Sequence, residues 1–224
     1  MKSLKEGYLE FRKELFEENK ELFEDLVEYG QKPKTFFVTC SDSRVVPNLI
    51  TNSKPGDLFI TRNIGNFIPP YQEGGKYLAT AAALEYAVGV LEVKEVIVCA
   101  HSECGAIATL FKAIKPTPNN IHIVNWLSLG NEARDLALKE LPNASMKELR
   151  DFAEKANAVI QLKNLLTYPL VKERVDKNKL KLRAWHYNIR TGEILEYSQK
   201  DNRYIPLEEL NENSNWFNRK YPPS

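Results

Sequence analysis

The chain has 224 residues, 43% hydrophobic and 27% charged, enough apolar material for a full globular core. Its 31 Lys and Arg against 30 Asp and Glu leave a formal charge of +1, which gives no electrostatic reason to expect a nucleic acid partner. Three cysteines are too few for a disulfide framework, and the N-terminus lacks the apolar core of a signal peptide; free thiols or metal ligands, a cytoplasmic location and no membrane partner are the expectations.

Residues 4–29 carry Leu4, Tyr8, Phe11, Leu15, Leu22, Leu26 and Tyr29 at helical spacing among charged residues, which predicts an amphipathic helix stopped by Gly30. Its apolar stripe needs a surface to cover, so 1–30 is expected to be a helical arm. Residues 35–39 (TFFVT), 57–61 (DLFIT) and 95–100 (EVIVCA) read as strands, the last apolar throughout, as in a central parallel strand covered on both faces. Helices are expected over 76–91, from 105 to 114, and over 121–141, 145–166 and 169–178. Ser145 and Glu148 have capping-box spacing. Residues 181–188 and 193–197, joined by Arg190–Thr191–Gly192, read as an antiparallel pair. This order predicts an α/β domain over 31–200, with a mainly parallel four-stranded sheet, a fifth antiparallel edge strand and flanking helices. Residues 201–224 are expected to be a C-terminal tail, with an arm from 216 onwards.

Two short runs carry the chemistry, CSDSR at 40–44 and HSECG at 101–105, each directly after a predicted parallel strand. Ligands in such sheets gather outside the carboxyl ends of strands, so the two loops can bring Cys40, His101 and Cys104 around one point. Thiolate and imidazole ligands select zinc, and three protein ligands leave a fourth position for water, the catalytic rather than structural arrangement. Taken singly, each residue has an ordinary explanation. A lone cysteine is usually a small hydrophobe, which suits Cys99 inside its strand, and Asp42 with Arg44 could be a surface ion pair or an Asx turn. In the functional reading, Arg44 grips the Asp42 carboxylate by two parallel hydrogen bonds and orients it towards metal-activated water. Released, the same carboxylate could bind the metal and close the open position. A redox dithiol fails on spacing, because Cys99 and Cys104 are not a C-x-x-C pair.

These motifs, with the PGDLFITRNIGNFIPP, LEYAVGVLEVKEVIVCAHSECGA and AWHYNIRTGEI segments, resemble the β-class carbonic anhydrases, bacterial type, over roughly residues 30–198. The resemblance implies a zinc lyase that reversibly hydrates carbon dioxide to bicarbonate. One zinc per subunit is held by Cys40, His101 and Cys104, beside an Asp42–Arg44 dyad, with Asp42 a fourth ligand only in a closed state. It implies that Gln31 orients substrate and that Phe59, Ile64 and Tyr86 form the apolar substrate pocket, built across a dimer interface of a homodimer or homotetramer. Alternatives on the same fold are hydrolysis of carbon disulfide or carbonyl sulfide, or a zinc-binding homologue without chemistry. The chain departs from the family pattern at Ala100, where glycine is usual, and at Phe37 and Thr39, where members with a regulatory bicarbonate site carry Trp and Gly. That regulation is therefore expected to be absent or weak, although the matching Arg62 is present.

Overall fold

A computed structural model describes residues 2–74 and 78–210. In chain order the elements are α1 (Leu4–Lys13), α2 (Leu15–Glu18), α3 (Lys20–Glu28), β1 (Thr35–Cys40), α4 (Pro47–Thr51), β2 (Leu58–Asn63), α5 (Leu78–Glu85), β3 (Glu95–His101), α6 (Gly105–Leu110), α7 (Ile121–Leu127), α8 (Asn131–Glu140), α9 (Met146–Leu166), α10 (Pro169–Asp176), β4 (Lys181–Tyr187), β5 (Ile194–Ser198) and β6 (Arg203–Pro206).

The strands form one sheet in the order β2-β1-β3-β4-β5-β6. β2, β1, β3 and β4 run parallel, and β5 and β6 antiparallel. The expected mainly parallel sheet with an antiparallel extension is present, with one strand more than the sequence reading gave it. Arg203–Pro206, expected in the tail, pairs with β5 and is the edge, so β5 is not. With only four residues, β6 shows too short an alternation to stand out from a loop. The helix expected over 76–91 continues past α5 as a π-helical turn, Tyr86–Val90, and positions 76 and 77 lie outside the described residues, as do those from 211 onwards.

β1 is buried at every position, and β3 at all but Glu95, as strands covered on both faces must be. On one face, Phe36, Val38, Val96, Val98, Leu182 and Ala184 form the main core with Leu84 and Val88 and with Ala158, Leu162 and Leu165 of α9. Phe37, Ile97 and Cys99 form a smaller cluster on the other face, with Ile50 of α4, Trp185 and Tyr187. Above the strand ends, Phe67, Ile107, Leu110, Leu127, Ala153 and Ile160 pack around Cys40 and Cys104.

The N-terminal segment is helical as expected, but in three pieces. Asn19 donates through Nδ2 to the Leu15 carbonyl at 2.8 Å, a side-chain bond that competes with the helical ladder, and the chain turns there. None of α1, α2 or α3 has a buried residue, and Leu4 is 95% and Tyr29 64% exposed, so most of the stripe read from the sequence is uncovered within this chain, although Leu22 and Leu26 are half-buried. The helix expected over 121–141 is also divided, by a tight turn at Ser128–Gly130. A Cβ at Gly130 would lie 2.7 Å from Phe67 Cζ, so the turn passes where only glycine fits.

Candidate active site

The chain runs from β1 to β2 on one side and crosses back to β3 on the other, so the strand order reverses between β1 and β3. Crevices outside the carboxyl ends of strands at such a reversal are where open α/β sheets bind ligands. Cys40 is the last residue of β1, His101 the last of β3, and Cys104 stands just ahead of α6. Their ligand atoms lie within 4.8 Å of one another, close enough for one ion to reach all three. His101 is fully buried, with Cys104 1% and Cys40 5% exposed. His101 Nδ1 lies 2.9 Å from the Ser102 carbonyl, a contact that as a donated N–H leaves Nε2 as the electron-pair donor. Nε2 is buried with no hydrogen-bond partner among the described residues. A buried imidazole nitrogen aimed without a partner between two thiols is what a metal site looks like from its ligands, and the donor set suits zinc.

The two thiols are coupled through one shared proton. The hydrogen bond from the Cys104 thiol first, then the nearby His101 imidazole and the Gly65 and Asp42 backbone N–H groups, overcome burial and pull Cys40 down to about 4. Cys104, sharing its proton with the Cys40 thiolate and buried, is pushed up. Gly65 N lies 3.4 Å from Cys40 Sγ. Gly65 has φ +78, and a Cβ there would meet the Phe67 ring at 2.7 Å, so glycine alone lets this N–H point at the sulfur. Cys99, by contrast, is fully buried inside β3 and raised to about 12 by burial, the hydrophobe expected from its position.

Asp42 and Arg44 form the clamp read from their spacing. Arg44 Nε donates to Asp42 Oδ1 at 2.9 Å and its terminal nitrogen to Oδ2 at 2.8 Å; the Arg44 backbone N–H adds a third bond at 3.0 Å. Arg44 also donates to the Glu103 carbonyl at 3.0 Å, tying the two ligand loops together. The guanidinium holds the Asp42 carboxyl well below the usual carboxylate range, and Asp42 Oδ2 lies 4.0 Å from His101 Nε2. Arg62 donates to the Cys40 carbonyl at 3.1 Å and the Asp42 carbonyl at 2.6 Å, so its guanidinium is engaged in bracing the Cys40 loop. Ala100 is buried inside β3, where a methyl group is accommodated.

The four residues expected around the substrate do not all gather here. Ile64 lies beside Gly65 at the mouth of a cleft of about 1040 Å³ that Ser41, Arg62, His122 and Trp126 also line. Phe59 pairs in register with Phe36, four residues before Cys40, hence ~13 Å along the strand from the thiol. It stacks on Tyr86, with ring centroids 5.7 Å apart, and Tyr86 is 45% exposed. Gln31 is exposed at the end of the helical arm. Within one chain, therefore, Phe59, Tyr86 and Gln31 stand apart from the cysteines.

Sequence reasoning missed the support behind the loops. Glu154 Oε1 accepts the Cys104 backbone N–H at 2.9 Å, and Asn157 Nδ2 donates to the Gly65 carbonyl at 3.0 Å. The available signal was a polar stripe, Glu154, Asn157, Gln161 and Asn164, at three- and four-residue steps on a helix whose other inward positions are apolar.

Comparison with known proteins agrees with this geometry. The carbonic anhydrase family model matches residues 35–194. A carbonic anhydrase of Helicobacter pylori is 41% identical over 207 residues, covering 91% of this chain and 93% of its own. The solved β-carbonic anhydrase CcaA superposes with a TM-score of 0.86 at 39% identity, covering 96% of this chain and 93% of its own. A tetrameric β-carbonic anhydrase of the ascomycete Sordaria macrospora superposes with a TM-score of 0.76 at 28% identity, over 85% of this chain and 93% of its own. A clustered Cys-His-Cys set at the strand reversal, a family match over most of the chain and neighbours alike in fold and sequence lead to one assignment: the chain belongs to the β-class carbonic anhydrases, of bacterial type.

Proposed function

We propose that this enzyme interconverts carbon dioxide and bicarbonate with one zinc ion per subunit held by Cys40, His101 and Cys104. The observation that carries the reading is the unpartnered, buried His101 Nε2 between two thiols, 4.0 Å from a carboxylate that Arg44 holds aside. When bound, zinc supplies the Lewis acidity that makes water a nucleophile near neutral pH. The chain's own groups do the rest. Asp42, ionised and gripped by Arg44, accepts the hydrogen bond of the attacking water's O–H at Oδ2 and so aims the oxygen lone pair at carbon. The arginine fork holds the Asp42 carboxylate away from the three ligand atoms, and a carboxylate released by Arg44 would be free to bind a metal held there. As water adds to carbon dioxide, one C–O bond forms, one C=O π pair moves onto oxygen and one water O–H bond breaks, so that bicarbonate and a proton leave.

Ile64 from this chain, with Phe59 and Tyr86 brought by a second subunit, line an apolar pocket suited to an uncharged substrate, and Gln31 donates to the oxygen that gains charge during attack. The exposed Tyr86, the exposed Gln31 and the uncovered α1–α3 stripe support a homodimer or homotetramer. No helix among the described residues is long and apolar enough to cross a membrane. A cytoplasmic setting suits three buried cysteines kept as thiols or metal ligands. The test is elemental analysis of purified protein with a stopped-flow proton-release assay in carbon dioxide solution. Stoichiometric zinc with rapid hydration is expected; stoichiometric zinc without activity at any pH would refute the reading.

A further inference from the structure

The two loops that carry the cysteines are held from behind by a single helix. Glu154, Asn157, Gln161 and Asn164 follow at steps of three and four residues and so share one face of α9. Glu154 is 2% exposed, and Asn157 and Gln161 are fully buried. Glu154 takes the Cys104 N–H through Oε1, and its Oε2 lies 3.5 Å from His186 Nε2 on β4. One turn on, Asn157 holds the Gly65 carbonyl, on the residue whose N–H faces Cys40 Sγ. Gln161 donates to Asn157 Oδ1 at 2.8 Å and accepts the Ile68 N–H at 2.7 Å, and Asn164 donates to the Ile68 carbonyl at 2.8 Å. Fixing polar side chains in an apolar interior is costly unless each is bonded, and the three buried ones and the half-buried Asn164 all are.

We infer that this face of α9 is a positioning device for the metal centre: Glu154 sets the Cys104 sulfur through its backbone, and Asn157 sets the Gly65 N–H that bonds the Cys40 sulfur. The inference rests on the functional reading above only in taking the two cysteines as metal ligands. Both residues act through others and touch neither substrate nor metal. Their effect belongs in how tightly the metal is kept and in the electron density on each sulfur, because hydrogen bonds to ligating groups govern both. The acceptor at Glu154, rather than its charge, does the positioning, since the bonded group is a backbone N–H.

The experiment uses the full chain loaded with cobalt(II), whose thiolate charge-transfer band reports the cysteine bonds. Metal loss to excess chelator and the melting of the metal-free protein are followed alongside. E154M and N157L remove the bonds at similar volume, and E154Q keeps an acceptor. The expected result is that E154M and N157L lose metal about 10- to 100-fold faster with a shifted charge-transfer band, while E154Q behaves like the parent. Folded E154M and N157L with parental metal loss and an unshifted band would overturn the inference, as would E154Q losing metal as fast as E154M. Should E154M not fold, N157L and E154Q decide by the same criteria, because a drop in metal-free melting alone, without faster metal loss, also counts against a positioning role. A parent protein that takes up no metal would overturn both this inference and the functional reading, and is seen before any variant is compared.

Discussion

In the proposed mechanism Asp42 carries the most weight, because its two oxygens are committed to Arg44 while Oδ2 also faces His101 Nε2. Replacing Asp42 with Asn keeps the shape but removes the charge that accepts and aligns a water proton. D42N is therefore expected to lower kcat/KM by ~10²-fold or more, the usual worth of a positioned acid–base group, with metal content unchanged; stopped-flow rates with elemental analysis check this, and normal hydration by D42N would remove Asp42 from the mechanism. The pH dependence has a definite sign. Arg44 lowers the folded-state pKa of Asp42 below its unfolded value, so the stabilisation is fully present above the ordinary carboxylate range and is lost as pH falls through the lowered value. The stability difference between parent and D42N should be flat from about pH 6 to about pH 8 and shrink in strong acid. Because the Arg44 side chain is 48% exposed, solvent screening holds that difference to about 1 kcal/mol or less. Denaturant titrations across pH measure it, and a difference that grows on acidification would contradict the assignment.

Among the elements, α9 does two jobs with two faces. Ala158, Leu162 and Leu165 seal the sheet core, while Glu154, Asn157 and Gln161 satisfy the loops. Its start is set locally: Ser145 Oγ receives the Glu148 N–H and the Glu148 carboxylate receives the Ser145 N–H, the reciprocal capping box expected from the spacing. S145A should cost about 1 kcal/mol of stability, because the cap lies more than two turns from Glu154 and only helix-end bonds are lost. Denaturation midpoints check the cost, and metal content should stay at the parental value; a large loss of metal would mean that the helix end and the site are coupled. The breaks at Asn19 and at Ser128–Gly130 show the converse, where apolar periodicity continues across a point at which a side-chain bond or a close ring contact interrupts the helix.

At the scale of the whole molecule, the striped arm and the pocket proposed across a subunit boundary point the same way. An amphipathic segment with no buried residue gains little from folding alone, since apolar area removed from water is the main return. Deleting residues 2–29 from the full chain is expected to shift sedimentation to a smaller species and to lower kcat/KM for carbon dioxide, while metal content stays stoichiometric. An arm-less protein that keeps both its assembly and its rate would show that the arm neither holds subunits together nor completes the pocket.

Much of this was legible in the order of residues. Periodicity gave the parallel strands and α9, because burial on both faces of β1 and β3 demands continuous apolar runs. Spacing gave the Asp42–Arg44 clamp, whose partners are two residues apart, and the two loops after β1 and β3 gave the clustering of Cys40, His101 and Cys104, since sheet topology alone brings strand ends together. What depended on distance through space was not legible: the sixth strand, too short for its pattern to count, and the reach of Glu154 and Asn157 to backbone groups 50 and 92 residues away. Backbone N–H and C=O groups are chemically alike from residue to residue, so no sequence pattern marks the ones that need a buried side-chain partner. Only the packed chain decides which they are.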